Sequence, residues 1–207
     1  MMPIRDAVWS QMVDLVLNDQ VAGRWRTRAC SEARGRVLEI GFGSGRNLGH
    51  LPTEVTEVLA VDPSDAGWGR ARRRIEKFGR PVRRIGRTAE DLPVPDAGVD
   101  AVVSTWTMCS IDDLPRALAE ARRVLRPGGA LHFVEHSLDP SPRVAAFQRR
   151  IQPAWSRISG GCHVDRDLPG ILETQGWAIA DLVARYAARG PARPFGWFVS
   201  GRATPLG

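Results

Sequence analysis

The most constraining stretch of this 207-residue chain is ValLeuGluIleGlyPheGlySerGlyArgAsnLeu at 37–48. Val37-Leu38-Glu39-Ile40 reads as a buried strand. It runs into Gly41, Gly43 and Gly45, and a short helix is expected over 46–51. Glycines at such a junction let the backbone turn sharply and approach a ligand without a Cβ clash. The amides that open the following helix are then free to face that ligand.

The rest of the chain alternates in the same way. Val55–Val61 reads as a strand, 65–78 as a helix, Val82–Ile85 as a strand and Val99–Ser104 as a strongly apolar strand. Residues 112–125 form a helix with Leu114, Leu118, Ala121 and Leu125 on its apolar face, capped near Asp112 and ended by Pro127-Gly128-Gly129. Leu131–Val134 is the next strand. Strands separated by helices specify an α/β, doubly wound, mostly parallel sheet with helices on both faces. Two helical stretches precede it, at 5–18 (apolar positions Val8, Met12, Leu15 and Val16) and about 22–33. After it come helices over 141–160 and 165–175, then strand-like segments 177–186 and 195–201 that close one edge of the sheet with an antiparallel last strand. No linker interrupts 1–207, so a single domain is expected: an N-terminal helical cover (1–33), a cofactor-binding core (34–138) and acceptor-side helices with closing strands (139–207).

Hydrophobic residues at 43% and charged residues at 25% are ordinary for a globular domain. No apolar run reaches the roughly 18 residues of a membrane span, and the opening MetMetProIleArgAspAlaValTrpSer has no signal-peptide core. Three widely spaced cysteines, Cys30, Cys109 and Cys162, make neither a disulfide framework nor a metal knuckle. A cytoplasmic protein with no stable membrane insertion is expected, monomeric or weakly dimeric. The net charge of +6 raises the question of nucleic acid. Among 29 basic residues only Lys77 is lysine, and no aromatic residues alternate along the arginine cluster at 70–84, so a solvated face and no nucleic-acid partner are expected.

Asp62 ends the second strand, 19 residues after Gly43, where a carboxylate accepts from ribose hydroxyls. A glycine pattern alone also suits NAD. Three details favour S-adenosylmethionine (SAM). Glu39 is a poor neighbour for a pyrophosphate, the GxGxxG spacing is absent at Arg46-Asn47-Leu48, and the acidic loop 87–93 is of the kind that borders an adenine.

On these residues, with ArgValLeuArgProGlyGly at 123–129, the chain resembles the class I SAM-dependent methyltransferases over about residues 30–205. CysSerIle at 109–111, PheValGluHis at 133–136, GlnProAlaTrp at 152–155 and GlyGlyCysHis at 160–163 resemble the branch that includes thiol S-methyltransferases and its bacterial relatives. The resemblance implies a Rossmann-like seven-stranded sheet and SAM as cofactor. It places Gly41, Gly43, Ser44, Gly45 and Asn47 around the methionine part, Glu39 at the amino end and Asp62 with Pro63 at the ribose. Ala89 and Glu90 fall by the adenine, and Ser104 and Thr105 under the sulfonium. Thr88 stands where many relatives carry an adenine-binding Asp, and the apolar anchor of the animal members is not seen.

On the acceptor side, Trp106, Met108 and Trp155 are expected to wall an apolar pocket, with Cys109, Glu135 and Cys162 beside it. His136 or His163 is a candidate general base, with Asp165 as an orienter. No metal site is expected, because Cys162-His163 finds no second Cys/His pair in the sequence. The expected reaction is methyl transfer to a small, largely apolar acceptor, most readily a thiol. A quinone or phenol, or a phospholipid amine, is the alternative acceptor. SAM binding without turnover and a nicotinamide-dependent oxidoreductase are readings from other classes.

Overall fold

The computed structural model describes residues 3–188 and 190–206. Its strands are β1 (Gly35–Ile40), β2 (Val55–Val61), β3 (Val82–Gly86), β4 (Val99–Thr105), β5 (Leu125–His136), β6 (Trp177–Tyr186) and β7 (Trp197–Pro205). They form one seven-stranded sheet in the order β3-β2-β1-β4-β5-β7-β6. The first five pair in parallel, and β7 runs antiparallel to both β5 and β6. The helices are α1 (Pro3–Val16), α2 (Asp19–Cys30), α3 (Asp65–Phe78), α4 (Leu114–Val124), α5 (Pro142–Ile158) and α6 (Leu168–Thr174).

Strand alternation divides the core between the two faces of the sheet. Leu38 and Val102 pack on one face with Leu118, Phe133, Leu172 and Trp177. Val37, Ala101 and Val103 pack on the other with Phe42, Val58 and Cys30. The carboxyl ends of β1, β2, β4 and β5 therefore open on one edge, the edge where open α/β sheets bind ligands.

Several boundaries differ from the sequence reading, each for a local reason. α2 begins at Asp19 rather than 22, because the Asn18 side chain accepts from the amides of Gln20 and Val21. The helix expected over 46–51 is a short 3-10 turn, Arg46–Gly49. Asp113, not Asp112, caps α4 by accepting from the Arg116 amide. Pro127-Gly128-Gly129 does not separate helix from strand: α4 stops at Val124 and β5 begins at Leu125, the three residues forming an irregular stretch of that strand where Gly128 takes φ +82° and the register with β4 shifts.

α1 presents the largest difference. Its apolar stripe points outward, with Val8, Leu15 and Val16 each more than 60% exposed. Two carboxylates hold the helix instead. Asp6 accepts from Ser64 Oγ (2.6 Å) and the Ala66 amide (3.1 Å). Asp14 accepts from Ser44 Oγ (2.5 Å) and Arg46 Nε (2.7 Å). The cover is thus tied across the glycine loop by polar contacts. Among the described residues, no helix is long and apolar enough to cross a membrane.

His132 sits in β5 between Val103 of β4 and Arg202 of β7, 5% exposed. Burial, with Arg202 and Arg34 nearby, lowers its imidazole from 6.5 to about 4. The fold therefore holds it neutral, and between those pH values the unfolded chain binds more protons. Stability from this site is complete above about pH 6.5 and is lost as the pH falls through about 4, a change on the order of 3 kcal/mol. Denaturant melts of the wild type and His132→Gln across pH 4–8 should show a smaller acid-side loss in the variant. Parallel curves would contradict this account.

Candidate active site

The glycine loop is shaped by two requirements. Gly41 has φ +77°, and a Cβ there would lie 1.8 Å from Thr107 Oγ1, so the loop after β4 packs directly on its backbone. Gly43 has φ +53° and faces open space; beyond its chain neighbours, nothing lies nearer to a Cβ than Gly41 O at 4.0 Å. Its amide donates to Asp62 Oδ2 (2.7 Å), and Asp62 Oδ1 accepts from the Ser64 amide (2.7 Å). Burial raises the Asp62 carboxyl above the usual range despite these two donors. Asp62 thus joins the ends of β1 and β2 while remaining at the mouth of the cradle.

Below the cradle lies a buried polar cluster. Asn47 Nδ2 donates to Glu39 Oε1 (2.9 Å) and to Thr105 Oγ1 (3.0 Å). Arg26 of α2, 6% exposed, donates to Asn47 Oδ1 (2.7 Å) and Thr105 Oγ1 (3.3 Å). Glu39 Oε2 is buried with no partner. Burial pushes the Glu39 carboxyl up to about 8, against the Asn47 hydrogen bond and the Arg26 charge. An orphaned buried carboxylate oxygen beside an open glycine cradle fits a ligand carrying an ammonium group, as the methionine end of SAM does. Arg26 was missed in the sequence, because nothing in its spacing distinguishes it from the surface arginines.

The adenine-side expectations meet a mixed arrangement. Ala89 points into the core with Leu92 and Val94. Glu90 is hydrogen-bonded to Thr88 Oγ1. Arg87 donates to Pro63 O (2.8 Å) and grips Asp65 with both oxygens (2.7 and 2.9 Å), which fixes the loop against the start of α3.

Three assigned positions need correction. Ser104 and Thr105 cannot both floor the site, because adjacent strand residues face opposite sides. Thr105 joins the polar cluster; Ser104, fully buried, donates to Glu135 Oε1 (2.9 Å). Glu135 is not a pocket residue. It is fully buried, and Oε1 also accepts from the amides of Thr107 (2.9 Å) and Met108 (3.0 Å), while Oε2 accepts from Cys109 (3.2 Å). Burial raises its carboxyl, opposed by these amides. Met108, 2% exposed, belongs to the main core.

Trp106 is buried in a second apolar cluster with Trp25 and Phe198. It holds φ +51°, unusual for a bulky side chain, and its ring lies between Phe198 (5.5 Å, edge-on) and the Arg26 guanidinium (5.0 Å). Trp155 stacks on Phe195 at 4.3 Å beside a small cluster of Cys109, Cys162 and Val164.

The fold brings together residues that the sequence kept apart. Cys109 Sγ and Cys162 Sγ lie 3.5 Å apart, and His136 Nδ1 is 3.8 and 3.7 Å from them. The partner that Cys162-His163 lacked in the sequence is Cys109 with His136. The ring of His163 stays outside, with Nδ1 3.6 Å from Asp165 Oδ1, while its amide donates to Cys109 O (2.7 Å). The Cys109 thiol is held well above its usual range, first by its hydrogen bond with Cys162 and then by burial.

Comparison with known proteins identifies the family. Residues 38–133 match the model of a methyltransferase domain family. The chain is 34% identical over 137 residues to the thiol S-methyltransferase TMT1B of Rattus norvegicus, covering 63% of this chain and 55% of that protein. It is 31% identical over 172 residues to the thiol S-methyltransferase TMT1A of Homo sapiens, covering 77% and 69%. A demethylmenaquinone methyltransferase of Thermus thermophilus is 33% identical over 163 residues, covering 72% and 73%. The chain thus spans between half and three quarters of the length of these relatives. A SAM-dependent methyltransferase of Thermotoga maritima superposes with a TM-score of 0.64 at 25% identity, over 94% of this chain and 93% of that one. Sheet order, glycine cradle and relatives agree: the chain belongs to the class I SAM-dependent methyltransferases, with SAM as its cofactor.

Proposed function

We propose that this protein transfers the methyl group of SAM to a small, largely apolar thiol. The observation that carries the reading is a site with two unlike ends. A charged, hydrogen-bonded end is built from Glu39, Asn47, Arg26 and Thr105. Beyond it lie two apolar clusters that meet around His136, Cys109 and Cys162: Trp106 with Phe198, which packs edge-on against His136, and Trp155 stacked on Phe195 beside the two cysteines. The similarity to two thiol S-methyltransferases supports the thiol reading.

When bound, SAM supplies a methyl group already activated on a sulfonium, so alignment and exclusion of water are what the protein adds. In this reading Glu39 holds the ammonium, Asp62 the ribose, and the Gly41–Gly45 backbone the methionine chain. Ala89, Glu90 and Pro63 border the adenine by their backbone positions. Glu135, buried at the acceptor end, is committed to three amides and Ser104 and is not free to deprotonate an alcohol. A thiol, with a reference pKa near 8.5, needs little help to ionise. His163 then acts at most as an auxiliary base, and its loss costs no more than the roughly 10²–10⁴-fold typical of a general base.

Incubation with isotopically labelled SAM and a panel of thiols, phenols, quinones and amines decides the acceptor. Label in thiols supports the proposal. Label only in quinones or phenols would favour the demethylmenaquinone relative. Label only in amines would favour the phosphatidylethanolamine N-methyltransferase of Cereibacter sphaeroides, a relative at 34% identity over 131 residues. Binding of SAM without transfer to any acceptor would leave a regulatory role.

Two cofactor predictions follow from the charged end. With its carboxyl near 8, Glu39 is mostly protonated at pH 7 before SAM arrives, and a neighbouring ammonium lowers it. SAM binding at pH 7 should therefore release close to one proton, read from calorimetric heats in buffers of different ionisation enthalpy. Glu39→Gln should release none; equal release by both proteins would remove Glu39 from the ammonium. Asp62→Ala should weaken SAM binding by about 1.5–3 kcal/mol, with Asp62→Asn intermediate. Unchanged affinity in Asp62→Ala would show that the ribose is held elsewhere.

A further inference from the structure

We infer that Cys109, Cys162 and His136 form a binding site for a zinc-class divalent cation with one coordination position left open. Zn–S bonds of about 2.3 Å and Zn–N bonds of about 2.0–2.1 Å at tetrahedral angles set S···S near 3.8 Å and S···N near 3.6 Å. The observed triangle, 3.5, 3.8 and 3.7 Å, matches those edges to about 0.3 Å. Two thiolates and an imidazole select a borderline or soft ion over magnesium or calcium. Among the described residues, no fourth His, Cys, Asp or Glu joins the three. Three protein ligands and a vacant position are the arrangement of a catalytic rather than a structural zinc site.

The three ligands come from separate segments, and each segment is braced. Cys109 lies in the turn whose amides are held by Glu135, and Arg166 grips the same turn through Met108 O (2.9 Å) and Ile111 O (2.7 Å). Cys162 follows Gly160 and Gly161, at φ +66° and +88°. Buried Gln152 clamps that turn, donating to Cys162 O (3.1 Å) and accepting from the Val164 amide (3.1 Å). His136 ends β5, and its ring packs edge-on against Phe198 at 4.8 Å. Pre-set ligand positions of this kind favour ion binding, because little ordering remains to be done.

Resting on the thiol reading above, the ion's fourth ligand would be the acceptor's sulfur. The thiol enters as RSH, gives its proton to solvent and binds as the thiolate; no bond within the protein forms or breaks.

The test uses purified full chain, reduced and stripped of metal. Titration with Zn(II) against a chromophoric chelator should show one tight equivalent. Co(II) should give the thiolate charge-transfer and tetrahedral ligand-field bands of a sulfur-rich site. Cys109→Ser, Cys162→Ser and His136→Ala should each weaken Zn(II) by about 100-fold or more, and Cys30→Ala should not. SAM calorimetry on every variant verifies folding. Reduced protein that binds SAM but no stoichiometric Zn(II) would overturn the site, as would stoichiometric binding that survives Cys109→Ser or Cys162→Ser. A small thiol added to the Co(II) protein should shift its charge-transfer band; an unchanged band would remove the acceptor's sulfur from the ion. Transfer to quinones alone would refute the thiol reading, while the Zn(II) titration would still stand.

Discussion

The carboxylate of Glu135 is the contact on which the acceptor side depends. It is fully buried at the end of β5, and it accepts from Ser104 and from three consecutive amides, Thr107 to Cys109. An uncompensated charge at that depth would cost several kcal/mol, so the turn after β4 is held in the one shape that supplies all four donors. That shape places Thr107 on Gly41 and turns Cys109 towards His136. The glycine cradle and the sulfur cluster are thereby set by one buried group. Deleting it would leave three amides unsatisfied in the core, a loss felt at both ends of the site.

The cofactor side uses the same physics in a different balance. Glu135 is satisfied; Glu39 is half satisfied, with Asn47 on one oxygen and nothing on the other. A buried orphan of that kind destabilises the ligand-free fold and is relieved when a cation arrives. Arg26 and Asn47 limit the strain without removing it. The charged end is accordingly prepared for a ligand, whereas the brace around Cys109 is complete in the protein alone.

Much of this was legible in the sequence. The strand-glycine-helix unit, the alternation of elements, Asp62 and the antiparallel closure follow from local pattern, because burial and turn chemistry are written locally. Positions were less legible than elements. Ser104 and Thr105 are adjacent, and period-two alternation alone forbids giving both one role. Met108 and Trp106 are two residues apart in a turn whose path depends on a distant glutamate, so one falls in the main core and the other in a smaller cluster with Trp25 and Phe198. α1 was legible as a helix, but its apolar stripe did not mark its packing face, because carboxylate contacts to the cofactor loops orient it.

The Cys109–His136–Cys162 cluster shows why the remainder could not be read. Metal motifs are recognisable when ligands share a turn or a helix, since spacing then implies distance. Here the ligands are 27 and 26 residues apart along the chain and meet only because β4 and β5 are neighbours and α5 returns across their ends. The local signal that did exist was the Gly160-Gly161 pair before Cys162, together with Gln152 ten residues earlier. Left-handed backbone that only glycine adopts freely, at two successive positions, and a buried amide clamp specify this turn more closely than a residue that only packs requires. They are accounted for if the turn exists to hold one sulfur at a fixed point, opposite a second sulfur and an imidazole.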